Sequence, residues 1–219
     1  MFSASHIGRE HLRVGRNNQD GRFSGPNVVV VTDGCSSQPQ SEVGAQLGAQ
    51  FLGAWLSANV AKLEGDVPDR ALDALCGWVS EAARALGGSL DDVLERYFLF
   101  TFLAAVRHGD QVLVFGVGDG GVLVDDTVVR LESGPDNAPL YCAYRLTGRE
   151  LRSELHFKGA ASRVAVMTDG LGALDPVRLR ALAAADGLSR NPLTLQRRLN
   201  VLAETERFGD DATIAVLPG

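Results

Sequence analysis

The hydrophobic pattern of this chain changes period in an order that a doubly wound parallel sheet cannot accommodate. A β-branched run, Val28 to Val31, reads as a buried strand that stops at Thr32-Asp33-Gly34. A long helical pattern then opens near Ser41 or Glu42, carries Val43, Leu47, Phe51, Leu52, Trp55, Leu56 and Val60, and ends at Gly65. A second helical pattern follows Asp66, with Pro68 in its first turn and Leu72, Leu75, Trp78, Val79, Ala82 and Leu86 along one face. Ser89 stands as the N-cap of a short third helix. The period then drops to two. Tyr97 to Arg107, Gln111 to Val117, Gly121 to Val124 and Thr127 to Leu131 predict strands of an antiparallel meander, joined at His108-Gly109-Asp110, Gly118-Asp119-Gly120 and Asp125-Asp126. A further strand is expected around Leu151 to Phe157, and another over Val164 to Met167, ending at Thr168-Asp169-Gly170. Helices are expected over Pro176 to Ala185 and Pro192 to Glu206, with Asp175 and Asn191 at their N-caps, and a last strand over Ala212 to Leu217.

Strands, a helix pair, strands, a helix pair and a final strand imply an α+β fold, not strict βα alternation. Two mostly antiparallel sheets stacked face to face would carry one helix pair on each outer side. The chain's 219 residues, 45% of them hydrophobic, fit one domain spanning residues 1–219 with a sizeable core. The net charge of -6 leaves no basic surplus to displace counterions, so nucleic acid is not an expected partner. Three cysteines without CxxC spacing argue against a disulfide framework or a zinc site. No apolar stretch approaches the ~20 residues of a membrane helix, and the first residues lack a signal-peptide pattern. A cytoplasmic protein without membrane contact is the expectation.

Aspartates recur where buried strands end or begin: Asp33, Asp119, Asp169 and Asp210, with Asp20 just ahead of the first such strand. An Asp-Gly after a strand is ordinarily a turn, and Asp119 fits that reading as well as a functional one. Asp33 and Asp169 lead through polar or small residues towards helices, so neither closes a two-residue hairpin. In antiparallel sheets, strand ends and strand starts share an edge, and these carboxylates would gather there. Close carboxylates in a partly desolvated cleft must protonate or hold cations. Aspartate and carbonyl oxygens suit Mg2+ or Mn2+. The four histidines show no ligand spacing.

The stretches Asn18-Gln19-Asp20, Val30-Val31-Thr32-Asp33-Gly34, Thr101-Phe102-Leu103-Ala104-Ala105, Val117-Gly118-Asp119-Gly120, Val166-Met167-Thr168-Asp169-Gly170-Leu171 and Asp210-Asp211-Ala212-Thr213-Ile214 occur in one order over nearly the whole chain. Together they resemble the metal-dependent protein phosphatases of type 2C, the PPM family, in its short bacterial form. The resemblance implies a four-layer αββα sandwich. It implies hydrolysis of phosphoserine and phosphothreonine by a water activated between two Mn2+ or Mg2+ ions. Asp33 would bridge the ions and Gly34 would offer its carbonyl. Asp169 and Asp210 would hold the other ion, and Asp20 would act directly or through a water. Asp119 resembles the aspartate that helps bind a third, looser ion. The implied partners are a phosphoprotein substrate and a Ser/Thr kinase that phosphorylates it.

Three positions depart from the family pattern. Gln19 stands where many members have glutamate, and Cys35 where some have a histidine that protonates the leaving group. Gly15 occupies the place of the phosphate-gripping arginine, which leaves Arg16, Arg13 and His6 as candidates. Asn137-Ala138-Pro139-Leu140-Tyr141 is a candidate for the cleft wall, although a lone tyrosine there is more often packing. Two other functions fit the same residues: a phosphatase for small phosphoesters, and a catalytically weak relative that binds a phosphoprotein or regulator.

Overall fold

The computed structural model describes residues 2–59, 66–134 and 139–219; Val60, Gly65, Asn137 and Ala138 fall outside them. The elements in chain order are β1 (Ser3–His6), α1 (Arg9–Val14), β2 (Gly21–Ser24), β3 (Val28–Gly34), α2 (Ser41–Asn59), α3 (Val67–Leu86) and α4 (Leu90–Val93). Then come β4 (Phe100–His108), β5 (Gln111–Val117), β6 (Gly120–Val124), β7 (Thr127–Leu131), β8 (Glu154–Ala160), β9 (Arg163–Met167), α5 (Pro176–Leu182), α6 (Thr194–Glu206) and β10 (Ala212–Pro218). One five-stranded sheet runs β1-β10-β9-β6-β7 and the other β2-β3-β4-β5-β8. Every pairing between neighbours is antiparallel.

The period-two strands divide their side chains between two cores. Val28 and Val30 of β3, with Phe100, Phe102, Ala104 and Val106 of β4, face α2 and α3. Val29, Val31, Leu103 and Ala105 face the other sheet, where they meet Val164 and Val166 of β9 and Ala215 and Leu217 of β10. The opposite faces of β9 and β10 bury Ala165, Met167, Ile214 and Val216 under Leu179 and Leu182 of α5 and Leu195 and Leu199 of α6. Four layers, αββα, result, as the order of elements predicts. Among the described residues, no helix is long and apolar enough to cross a membrane.

Several expectations are corrected. β1, α1 and β2 are absent from the sequence reading, because elements of 4, 6 and 4 residues are too short to show a period. α2 packs through Gly44, Ala45, Gly48, Ala49 and Leu52, while Val43 and Leu47 are exposed. Rings fill the space that its glycines leave: Phe100 lies against Gly48 and Phe23 against Gly53. Tyr97 and Phe98 belong to a π-helical turn, Leu94–Phe98, which continues α4, so β4 starts only at Phe100. The strand expected around Leu151 to Phe157 lies at Glu154–Ala160. α5 stops at Leu182, short of Ala185, and α6 starts at Thr194 with Leu193 as its N-cap. The Asn191 side chain instead accepts from Leu193 N–H at 2.9 Å in a turn. Ser89 is the N-cap of α4, as expected, although its side chain makes no capping bond among the described residues.

The meander breaks at Asp119. β5 and β6 lie in different sheets, so Gly118-Asp119-Gly120 is a crossing between layers and not a hairpin turn. The flanking glycines, at φ +100° and +128°, supply backbone conformations that side-chain-bearing residues rarely adopt.

Asp175 caps α5 as expected, accepting from Val177 and Arg178 N–H at 2.9 and 3.0 Å. Asp175→Ala should cost about 1 kcal/mol, read as a lower midpoint in urea unfolding with an unchanged slope.

Candidate metal centre

Antiparallel pairing carries the acidic residues to one end of the sandwich. β2 starts opposite the end of β3, with Gly21 paired to Thr32, and Asp33 is paired to Thr101 of β4. β9 ends where β10 begins, and Thr168 N–H donates to the Thr213 carbonyl at 3.0 Å. Asp20 therefore sits before one strand and Asp33 at the end of its neighbour, while Asp169 follows β9 and Asp210 precedes β10. Asp119 arrives from the crossing between the sheets.

The carboxyls act on one another. Asp33 faces Asp169 and also feels Asp20 and Asp210. Desolvation is the leading cause that pushes the Asp33 pKa well above the ordinary carboxylate range, and these neighbouring charges add to it. Asp20 is buried, and desolvation likewise raises its pKa well above the usual value, with Asp211 and Asp210 contributing. Asp169 shifts upward too, first by desolvation and then by Asp119 and Asp210. The Asp119 carboxylate accepts from the Ser133 hydroxyl.

Asp20 is satisfied on one side only. Its Oδ2 accepts from Thr168 Oγ1 at 2.9 Å, but among the described residues Oδ1 is buried without a partner. Gln19 Oε1, beside it in sequence, is buried and unpartnered as well, while its amide nitrogen donates to Ser41 Oγ at 2.7 Å. Unpaired buried oxygens among mutually repelling carboxylates are a donor set short of a cation, and oxygen ligands suit Mn2+ or Mg2+. The residues present fit such ions.

The phosphate-binding candidates separate. Arg16 donates to the Ser36 carbonyl, in the loop that follows Asp33-Gly34-Cys35, and so lies at the rim of the cluster. Arg13 pairs with Glu10 on the exposed side of α1. His6, in β1, lies edge-on to Phe208, with ring centroids 6.2 Å apart. Tyr141 packs edge-on to Tyr144 at 5.4 Å. Burial and the neighbouring Cys35 raise the pKa of its hydroxyl, which remains a protonated donor beside the cluster.

Three residues near the site escaped sequence reasoning. Arg22 of β2 carries its guanidinium within electrostatic reach of Asp20. It lines a groove of ≈ 770 Å³ with Ser3, Ser5, Asn18, Ser24 and Gln46. His11 and Asp211 form a buried pair, Nδ1 to Oδ2 at 2.8 Å. No sequence signal marks Arg22 or His11. Asp211 was visible only as the neighbour of Asp210.

A sequence model of the family described as protein phosphatase 2C matches residues 7–208. No curated protein sequence matches the chain. The fold resembles a bacterial serine phosphatase, at TM-score 0.72 and 14% identity over 98% of this chain and 95% of that one. It also resembles the serine/threonine phosphatase PstP/Ppp of Mycobacterium tuberculosis, at TM-score 0.65 and 19% identity over 98% and 96% of the two chains. A third likeness is to the catalytic domain of PstP in complex with two manganese ions, at TM-score 0.65 and 18% identity over 98% and 95%. At these identities the solved structures establish the fold alone.

Proposed function

The chain belongs to the protein phosphatase 2C family and is a protein phosphatase, and from that premise we propose that it hydrolyses phosphoserine and phosphothreonine in proteins with the help of two Mn2+ or Mg2+ ions. The observation that carries the proposal is the convergence of Asp20, Asp33, Asp119, Asp169 and Asp210 at one end of the sandwich, with the buried Asp20 Oδ1 left unpartnered.

In this reading Asp20, Asp33, Asp169 and Asp210, with the Gly34 carbonyl, would hold the two ions, and Asp119 would serve a third, looser one. Bound divalent cations supply Lewis acidity, which lowers the pKa of water and offsets charge on phosphoryl oxygens. The chain's own residues do the placing. Arg16 uses one guanidinium N–H on Ser36, which anchors the side chain at the rim and leaves its other donors for a substrate phosphate. Cys35 is held by its backbone N–H on the Leu99 carbonyl at 2.9 Å. Its Sγ lies 3.1 Å from Ser37 Oγ, so a short polar run directly follows Asp33-Gly34.

Phosphopeptide hydrolysis is expected with Mn2+ and is expected to vanish when EDTA removes it. Faster turnover of sugar phosphates than of phosphopeptides would move the assignment to small phosphoesters. Absence of turnover in protein with confirmed bound metal would make the chain a phosphoprotein-binding relative.

A further inference from the structure

We propose that α1 is a brace for the metal centre, with His11 and Asp211 as positioning residues that fix Asp210 and Asp20; the inference rests on the metal-site reading above. Asp211 is 2% exposed, and its carboxylate collects three N–H donors from two stretches of chain, α1 with its N-cap and the segment before β2. Oδ1 accepts from Gly8 N–H at 2.6 Å, and Oδ2 accepts from Gln19 N–H at 2.6 Å and from His11 Nδ1–H at 2.8 Å. Gln19 and Asp211 each adjoin a proposed ligand. Gln19 is followed by Asp20, and Asp211 is itself preceded by Asp210. One buried carboxylate thereby sets the relative positions of two segments that carry metal-site aspartates.

Helix α1 presses on the same loop. Arg9 N–H and Glu10 N–H donate to the Phe208 and Gly209 carbonyls at 2.9 and 3.0 Å. At Gly8 a Cβ would meet the Asp210 carbonyl carbon at 2.3 Å, so only glycine permits this approach. The His11 ring is 6% exposed, and its Nε2 reaches to 3.9 Å from Asp210 Oδ1. The side chain of Asp210 is 49% exposed and, among the described residues, takes one bond, from Asp211 N–H at 2.8 Å. A carboxylate so open to water depends on its backbone for aim, and that backbone is what the brace fixes.

A competing role is a separate metal site, since the ligand atoms of His11, Asp210 and Asp211 all lie within 4.8 Å of one another. The hydrogen bonds argue against it: both Asp211 oxygens already accept from N–H donors, and Nδ1 of His11 is engaged. Outer partners of this kind tune metal affinity by about 10–100-fold.

The test is Mn2+ titration by calorimetry on the full chain. His11→Ala is expected to weaken binding by about 10–100-fold. His11→Asn, which keeps an N–H donor near the Nδ1 position, is expected to recover most of that loss, and Leu12→Ala on the exposed side of α1 to bind as wild type. Should His11→Ala not fold, His11→Phe fills the ring volume without the donor and is expected to show the same weakening. In turnover, the half-saturating Mn2+ concentration should rise while KM for phosphopeptide at saturating Mn2+ stays unchanged. Wild-type Mn2+ affinity in a folded donor-less variant, even one with a lower melting temperature, would overturn the brace and leave the phosphatase reading standing. A wild-type chain that binds no Mn2+ would overturn both.

Discussion

Asp33→Asn is expected to remove phosphopeptide turnover by about three orders of magnitude, or ~4 kcal/mol of transition-state stabilisation. The residue lies at the end of β3, pinned opposite Thr101, and is the carboxyl that feels Asp20, Asp169 and Asp210 together. An amide keeps its shape but not its charge, so a cation would lose the ligand with the most neighbours to neutralise. The fold should not suffer, because β3 is anchored by Val28, Val29, Val30 and Val31 and not by its terminal side chain. In EDTA the variant should even be more stable than wild type near neutral pH, since an amide cannot ionise in a desolvated, repulsive setting. Calorimetry for Mn2+ and thermal melts with and without EDTA check both halves. Unchanged metal affinity would remove Asp33 from the centre.

Metal-free protein should lose stability as pH rises, and Mn2+ should reverse the trend. Asp20, Asp33 and Asp169 have folded pKa values raised above the unfolded carboxylate value of about 3.9. A raised carboxyl binds its proton more tightly in the folded state. Its contribution to stability is therefore complete below the unfolded value and is lost as pH climbs through the folded one. Comparison with Asp33→Asn isolates this share from all other titrations. Above that range the carboxylates are charged, and cations bind where protons were. Mn2+ at 100 times its Kd adds about 2.7 kcal/mol, which for a chain of this size is a rise of about 5–10 °C in Tm. The rise should be larger near pH 7 than near pH 4, because protons compete with the metal for the same oxygens. A metal-induced shift independent of pH would contradict the carboxylate cluster.

Much of this architecture was legible before any coordinates. The continuous β-branched run Val28 to Val31 and the helical spacing after Asp66 encode local structure, because a strand covered on both faces needs apolar side chains on both and a helix packed on one face needs them along one stripe. The short N-terminal pieces were not legible. β1, α1 and β2 owe their conformation to partners about 200 residues away, in β10 and the loop before it, or to the neighbouring β3, and carry little preference of their own.

The sequence alone determined the types of the longer elements, the order that calls for two stacked sheets, and the placing of aspartates at strand termini. Those follow from local periodicity and from residue chemistry, which need no partner to be read. Only the tertiary structure decided that the chain changes sheets at Asp119, that α2 meets its sheet through glycine and alanine, and that Asp210 opens to water while Asp211 beside it is buried under three N–H donors. Two adjacent aspartates look alike in a linear string. Their difference arises from what packs against each, and that packing is supplied by α1 from the other end of the chain.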